Sequence, residues 1–168
     1  VVANTAERLP LLAFLRETPL TAPTPEIAAY ARDVAGAGPR LDQLHALLAG
    51  LNRDIEFDTC ATDATVSAAR AFALKRGVCQ DMAHLFIASA RSLGVPARYI
   101  SGHLLRADGA TEQEAAHAWA EAWVEDLGWV GFDPANGVSP TAAYVRVAVA
   151  LDYLGAAPVR GAGYGGGG

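Results

Sequence analysis

Three side chains of this sequence have the types and the chain order of a cysteine nucleophile and its acid–base partners. Cys79 stands at the start of an apolar run, His117 follows it, and Asp133 comes later still. In such a set the thiolate attacks a carbonyl carbon, the imidazole moves the proton, and the carboxylate orients the imidazole. The order therefore predicts acyl transfer through a thioester.

The surroundings of Cys79 suit a reactive thiol. Cysteine attacks as the thiolate, and an ordinary cysteine pKa of about 8.5 leaves little thiolate at neutral pH. A helix predicted from Cys79 to Leu93 places the sulfur at a helix N-terminus, where free N–H groups favour negative charge and can hold an oxyanion. We expect Gly77 to end the preceding helix in a left-handed conformation. The alternative for Cys79 is a small buried apolar residue.

His117 opens a predicted strand over residues 117–124. Strand alternation puts His117, Trp119, Glu121 and Trp123 on one face and small residues on the other, which can pack closely against a helix. Glu121 would lie roughly 13 Å from His117 along the strand, too far for a direct hydrogen bond. A carboxylate from another strand is therefore the better partner. The alternative for His117 is a core histidine.

Asp133 reaches His117 only if the intervening hairpin has the right length. A three-residue loop over residues 125–127, with Gly128 in the left-handed position, pairs Val124 with Gly128. Asp133 is then a diagonal neighbour of His117 on the same face, within side-chain reach. A loop one residue shorter or longer would turn Asp133 to the opposite face. The alternative for Asp133 is an aspartate that starts a turn.

Other polar and aromatic residues are expected to line a substrate cleft, with core packing as the alternative for each tryptophan. These cleft candidates are Gln80, His103, Trp119 and Trp129. We expect His84 to be structural, since it stands five positions along the helix from Cys79, and His45 to be exposed. A metal site from Cys79, His103, His117 and Asp133 is the alternative. Because C-x-x-C and H-x-x-x-H spacings do not occur, no metal is expected, and no cofactor is expected either.

The elements that must position these residues change in character along the chain. Helices are predicted at 7–17, from Thr24 to about Ala35, over the leucine-rich stretch 41–51 and at 65–75, with a short strand at 55–57. Strands are predicted at 97–105, 117–124, 129–132 and 144–150. Helices first and antiparallel strands later predict the α+β class. We expect one core over residues 1–158, with a helical part to residue 60 and a catalytic part over 61–158. Residues 159–168 are Gly-rich and are expected to form a flexible tail.

Composition limits the class of protein. The chain has 168 residues, enough for one sizeable core, and a net charge of −5, which argues against a nucleic-acid partner. No stretch approaches the ~20 apolar residues that a membrane span needs. The two cysteines are too few for a disulfide framework, with a Cys60–Cys79 bridge as the alternative. Because the chain starts at Val1 with no signal-like segment, we expect a piece of a longer, cytoplasmic protein.

At these residues the sequence resembles the transglutaminase-like superfamily, especially bacterial members described as transglutaminase-like enzymes or cysteine proteases. The matching segments are 76–84, 93–102, 117–121 and 128–136, within a resemblance from about Thr65 to Pro158. The resemblance implies a papain-like fold, with the cysteine on a central helix against an antiparallel sheet. It also implies the roles of nucleophile for Cys79, general acid/base for His117 and orienter for Asp133. Because such proteins usually carry a β-rich domain ahead of this core, an N-terminal partner domain is expected.

The chain departs from the family pattern in two places. Members often have Gly-Arg-Asp-Tyr near the last strand, where residues 150–153 read Ala-Leu-Asp-Tyr, and they tend to have tyrosine at the position of His103. These departures bear on the shape of the cleft and the substrate preference.

The expected activity is hydrolysis of amide bonds in peptides or proteins by a cysteine hydrolase or acyltransferase. Hydrolysis is favoured over crosslinking because water is always present and no site for a second amine is evident. One alternative is an arylamine N-acetyltransferase, which would normally show Arg-Gly-Gly before the cysteine. Another is a non-catalytic peptide-binding or scaffold domain of the same fold.

Overall fold

Helices predominate in the first half of the chain. The structure is a computed structural model that describes residues 9–59, 66–105 and 116–157. Cys60 and the predicted tail lie outside these described residues. A 3-10 helix, Leu11–Leu15, comes first, and four α-helices follow before the main sheet. They are α1 (Pro25–Ala35), α2 (Arg40–Asp54), α3 (Ala68–Leu74) and α4 (Cys79–Ser92).

The strands of the main sheet follow helices α1 to α4, as predicted for an α+β protein. Two short parallel strands, β1 (Glu56–Phe57) and β2 (Arg76–Gly77), pair with each other. The main sheet is antiparallel and has the order β5-β4-β3-β6. Its strands are β3 (Ala97–Leu104), β4 (His117–Val124), β5 (Gly128–Phe132) and β6 (Tyr144–Ala150), and a short helix α5 (Tyr153–Ala156) follows.

Helix α1 begins where its sequence predicts. The Thr24 side chain accepts a hydrogen bond from the Ile27 N–H at 3.3 Å, and Pro25 occupies the first helical position. An N-cap acceptor satisfies a free N–H of the first turn, and proline has no N–H to leave unpaired. Gly36, with φ of 60°, ends the helix. These local signals confirm the predicted boundaries of α1.

The helix predicted at residues 7–17 is wrong over its described part. Only Leu11–Leu15 are helical, and they form a 3-10 helix between Pro10 and the extended Arg16. Pro10 disfavours helical geometry in the residue before it, and it has no N–H for a helix that would run through it. Apolar spacing alone therefore overestimated the length of this element.

Gly77 does not have the conformation that we expected. Helix α3 ends at Leu74, and the left-handed residue is Lys75, with φ of 55°. Gly77 instead belongs to β2, where it pairs with Phe57. A Cβ on Gly77 would stand 2.7 Å from the Cβ of Asp81. The glycine is therefore suited to close approach between β2 and the first turn of α4.

Helix α4 is the centre of the core. It is buried from Asp81 to Arg91, and it packs against the alanine-bearing face of β4. Phe86 stacks on Phe132 of β5 with ring centroids 4.9 Å apart. Small residues on β4 let the helix approach the sheet closely, as the alternation predicted. The end of α4 that carries Cys79 is thereby held against the sheet.

The hairpin between β4 and β5 has the predicted register. Val124 pairs with Gly128, and Gly128 has φ of 82°. Three residues, 125–127, therefore form the loop, and Asp126 within it also has positive φ, at 69°. This register carries Asp133, the first residue after β5, to the position from which it can reach His117.

No helix in the described parts of the chain is long and apolar enough to cross a lipid bilayer. The cytoplasmic placement stays a prediction.

Candidate active site

Cys79 is the first residue of α4, and its thiol is free and half-buried. Val78 precedes it in an extended conformation, and the Val78 N–H donates to Oδ2 of Asp81 at 2.9 Å. Asp81 is buried in the first turn, so it caps the helix by receiving an N–H from the residue before Cys79. The sulfur therefore lies where the helix dipole favours a negative charge.

His117 and Asp133 are in direct contact. Nε2 of His117 lies 2.6 Å from Oδ2 of Asp133, and the histidine side chain is 15% exposed while the aspartate is fully buried. The short distance assigns the Nε2 proton to the hydrogen bond with the carboxylate. Nδ1 is then the ring nitrogen left for proton exchange with Cys79, which is near enough to the ring to raise the pKa of His117. The structure thus brings together all three residues of the predicted triad.

The pKa of His117 is raised to about 9. Burial is the largest influence and lowers this pKa, but hydrogen bonds to Asp133 and Cys79 and the negative charges of these groups outweigh burial. The pKa of Asp133 is lowered: burial raises it, and the hydrogen bonds and charge of His117, with hydrogen bonds from Asn136 and Tyr144, outweigh that effect. At neutral pH the pair is therefore an imidazolium beside a carboxylate.

Within the described parts of the chain, the Asp133 carboxylate receives five hydrogen bonds. Besides His117, Oδ2 accepts from Nδ2 of Asn136 at 2.7 Å and from the Tyr144 hydroxyl at 2.8 Å. Oδ1 accepts from the N–H groups of Ala135 at 3.1 Å and Asn136 at 3.3 Å. A buried carboxylate needs such partners to remain ionised.

Sequence reasoning did not identify Asn136 and Tyr144 as site residues. A signal existed for Asn136, because an aspartate that starts a turn accepts from the N–H groups two and three residues later. No local signal marks Tyr144, which comes from the far edge strand β6.

Aromatic rings enclose the imidazole. The ring of Trp119 is stacked with that of His117, at a centroid distance of 6.1 Å and an angle of 28°. Tyr144 lies 5.9 Å from the His117 ring and makes an edge contact with Trp119 at 5.3 Å. These contacts restrict the rotation of His117 and exclude water from its bond with the carboxylate.

Helix α2 holds the turn that follows Asp133. Nδ2 of Asn52 donates to the carbonyl oxygens of Pro134 at 2.9 Å and Ala135 at 3.2 Å. The turn is closed by reciprocal backbone hydrogen bonds between Asp133 and Val138, at 2.9 and 3.2 Å. The helical part of the chain therefore contributes directly to the position of Asp133.

Glu121 has other partners, as its distance along β4 predicted. It is buried and bonds the guanidinium of Arg98 at 2.7 Å and that of Arg146 at 3.2 Å. These arginines compensate the buried carboxylate. Glu121 therefore does not serve as the orienter of His117.

The four cleft candidates have different surroundings. Gln80 is half-buried beside Cys79, and Trp119 is buried against the ring of His117. His103 is exposed, and alternation along β3 places it on the face opposite to that of Gly102, the partner of His117. The structure therefore brings Trp119, but not His103, against His117, while Gln80 adjoins Cys79 along the chain.

Trp129 packs away from the triad. Its ring makes edge contacts with Phe14 and Trp123, and the guanidinium of Arg98 lies 3.9 Å from its centroid. Trp129 is also buried. These contacts are those of a packing residue, the alternative that the sequence left open.

The remaining two described histidines lie as expected. His84 is fully buried, and its Nε2 accepts from the Tyr153 N–H at 3.0 Å. Burial, as the largest influence, lowers the pKa of His84 to about 4, with opposing charge effects from Asp152 and Arg91. His45 is exposed on α2.

Comparison with known proteins places these features in a family. A family model described as the transglutaminase-like superfamily matches residues 28–134, which include Cys79, His117 and Asp133. An uncharacterized protein of Mycobacterium leprae is 46% identical over 90 residues, covering 51% of this chain and 32% of that protein. An uncharacterized protein of Mycobacterium tuberculosis is 30% identical over 151 residues, covering 82% of this chain and 48% of that protein.

Solved structures share the fold. A candidate cysteine protease from Cytophaga hutchinsonii superposes with a TM-score of 0.75 and 25% identity, over 88% of this chain and 49% of that chain. The periplasmic domain of TgpA from Pseudomonas aeruginosa superposes with a TM-score of 0.57 and 26% identity, over 76% of this chain and 47% of that one.

These comparisons confirm the predicted papain-like fold of transglutaminase cores. The chain spans between about a third and about half of the length of the relatives described above. The family model covers the chain from within α1 to just past the end of β5, more than half of its length. The chain belongs to the transglutaminase-like superfamily.

Proposed function

We propose that this chain is the core of a cysteine enzyme that hydrolyses amide bonds of peptides or proteins through a thioester on Cys79. The observation that carries the proposal is the 2.6 Å bond between His117 Nε2 and Asp133 Oδ2. It belongs to an imidazole whose pKa, despite burial, is raised by Asp133 and by the nearby Cys79. The likeness to a candidate cysteine protease supports the same reaction class.

The reaction starts from the thiol of Cys79 and the ring of His117. In the resting site the thiol proton already lies on the ring, whose raised pKa keeps it an imidazolium at neutral pH, and the sulfur beside it is a thiolate. The sulfur attacks the amide carbonyl, and the N–H groups of the first turn of α4 lie near the developing oxyanion. The C–N bond then breaks as His117 gives its proton to the leaving amine, and a thioester to Cys79 remains.

Water completes the cycle in this proposal. The neutral His117 ring removes a proton from water, and the hydroxide attacks the thioester carbonyl. The C–S bond breaks, the acid is released, and the sulfur leaves as thiolate beside the imidazolium. Asp133 stays ionised throughout and stabilises that cation.

A peptide screen tests the proposal. Glutamine-containing peptides are incubated with the protein, with and without a primary amine, and ammonia, new amino termini and product masses are measured. We expect cleavage or ammonia release without added amine, lost in Cys79→Ala. Products that form only with the amine would identify a crosslinking enzyme. Peptide binding equal in wild type and Cys79→Ala, with no turnover, would identify a binding domain.

A further inference from the structure

Tyr144 joins the site from outside the predicted triad. Its hydroxyl donates to Oδ2 of Asp133 at 2.8 Å, the oxygen that also accepts from His117. Its ring lies 5.9 Å from that of His117 and 5.3 Å from that of Trp119. Tyr144 therefore contacts the histidine and its orienter at the same time.

A β-bulge brings Tyr144 to this face of the sheet. The pairing of β3 with β6 shifts by one residue at Val147, so that Tyr144 faces Leu104. Leu104 shares its sheet face with Gly102, the partner of His117. In the unshifted register Val145 would face Leu104, and Tyr144 would turn to the opposite face. Bulges commonly re-aim side chains in this way near active sites.

Gly102 permits the close approach that the bulge requires. A Cβ at this position would overlap the carbonyl oxygen of Val145 and would stand 2.7 Å from the ring of Trp119. Only a residue without a side chain lets both neighbours come so near. The strand pairing around Tyr144 thus depends on a specific backbone arrangement on β3 as well as on β6.

We propose that Tyr144 is a positioning residue, whose hydroxyl holds Asp133 in line with the imidazole of His117 and moderates the attraction of the carboxylate for the imidazolium. This inference rests on the proposed function, in which the protonation state of His117 controls both halves of the reaction. The bulge in β6 turns the Tyr144 side chain toward Asp133 and His117.

The direction in which the pKa of His117 should change without the Tyr144 hydroxyl follows from the groups that face the ring. These are the thiol of Cys79 from α4, the carboxylate of Asp133 after β5 and the hydroxyl of Tyr144 from β6, with the neutral Asn136 and Trp119 beside them. Removing the hydroxyl leaves the carboxylate with one donor fewer. Its charge then acts more strongly on His117, so the imidazolium should persist to higher pH.

The test compares two tyrosines that each donate to an aspartate. Tyr144→Phe removes the hydroxyl and keeps a ring of the same size against Trp119. Tyr30→Phe removes the matching bond from Tyr30 to Oδ2 of Asp54, which is 2.9 Å long and joins α1 to the end of α2. The ring signals of His117 are titrated by NMR in each variant and are assigned with His117→Ala. Hydrolysis of the best peptide is measured alongside.

We expect the His117 midpoint in Tyr144→Phe to rise by roughly half a pH unit, with kcat/KM for the best peptide falling about three- to tenfold. Tyr30→Phe should leave both unchanged. An unshifted midpoint in Tyr144→Phe would overturn the inference, even if melting temperature falls in both variants. The titration needs no substrate, so the two proposals fail separately. A shift without any peptide cleavage overturns only the proposed function, and cleavage without a shift overturns only the role of Tyr144.

Discussion

At the scale of single residues, one buried carboxylate oxygen organises the site. Oδ2 of Asp133 accepts hydrogen bonds from His117, Asn136 and Tyr144, which together hold it ionised and immobile. A fixed anion keeps the ring of His117 in one tautomer and stabilises its cation. The acid–base function of His117 in our proposal therefore depends on Asp133 more than on any other neighbour.

Asp133→Asn should remove this function with little change in shape. In one orientation of the amide, its NH2 group would face groups that are themselves donors. In the other, its uncharged carbonyl oxygen would be a weaker acceptor for His117 than the carboxylate. We expect kcat/KM for peptide hydrolysis to fall by about 10²–10⁴. The matched control is Asp54→Asn, which alters a tyrosine-bonded aspartate outside the site. Activity of Asp133→Asn within about threefold of wild type would contradict the orienter role.

The protonation of His117 predicts the alkaline limit of activity. Its pKa of about 9 means that the imidazolium which protonates the leaving amine is lost as pH rises through 9. We expect kcat/KM to fall about tenfold per pH unit above this value. The raised pKa also stabilises the fold below about pH 6.5, and this stabilisation is lost as pH rises through 9. A pH–rate profile that stays flat to pH 10.5 would contradict the assignment.

His84 predicts an acid-sensitive fold that is independent of catalysis. Its pKa is about 4 in the fold and about 6.5 when unfolded, so only the unfolded chain takes up a proton between these values. Stability is full above pH 6.5 and falls as pH decreases toward 4. Between pH 7.5 and pH 5, the free energy of unfolding measured with denaturant should fall by about 2 kcal/mol more in wild type than in His84→Gln. Gln is the matched replacement because it can accept from the Tyr153 N–H without titrating. Equal losses in both proteins would contradict this prediction.

The sequence placed the three candidate residues on elements that the structure contains, while it did not point to their supporting partners. Cys79 and His117 stand at the ends of elements with clear periodicity, and the geometry of Asp133 followed from one loop length that the structure has. Tyr144 depends on a register shift within a strand pair. No local pattern encodes that shift, since it arises from close packing around a glycine on the neighbouring strand.

At the scale of secondary structure, helix α2 and the turn after β5 form one positioning unit. Asn52 bonds two carbonyl oxygens of that turn, and a Cβ on Gly137 would stand 2.9 Å from the Asn52 side chain. The absence of a side chain at Gly137 therefore lets the helix approach the turn. Movement of α2 would be transmitted to Asp133 through these two hydrogen bonds.

Asn52→Leu tests this connection. The substitution leaves two carbonyl oxygens without their donor, and we expect a loss of about 1–3 kcal/mol in the free energy of unfolding. It should also lower kcat/KM for peptide hydrolysis about tenfold, because Asp133 is held less firmly. Arg53→Ala is the control, since the neighbouring Arg53 side chain is 68% exposed and bonds only Asp54 among the described residues. If Asn52→Leu keeps its activity at temperatures where it is folded, α2 does not position Asp133.

Element boundaries were predictable where capping residues mark them. Thr24 and Pro25 predicted the start of α1. The left-handed residue at the end of α3, however, is Lys75 and not Gly77. A glycine can serve a turn or a close approach, and the sequence does not distinguish these uses. Tertiary packing against Asp81 decided the use of Gly77.

At the scale of the whole molecule, the site draws on both halves of the chain. Helix α4 supplies Cys79, strand β4 supplies His117, and the hairpin that follows supplies Asp133. The helical part contributes Asn52, so the first third of the chain is more than a support for the core. The family match, residues 28–134, contains the triad but ends before Tyr144.

The expected N-terminal β-rich domain stays a prediction, as does the substrate of the full-length protein. The relatives from Mycobacterium are longer than this chain, which covers 32% of one and 48% of the other. The activity proposed here concerns the catalytic core.

The rate at which iodoacetamide modifies Cys79 tests the central claim most directly. The rate at pH 7 is measured by peptide mapping in wild type and in His117→Ala, with N-acetylcysteine as the reference for a free thiol. A thiolate held by an imidazolium should react at least about tenfold faster than the reference, and His117→Ala should remove this advantage. Modification of Cys79 at the reference rate, unchanged in His117→Ala, would contradict the account.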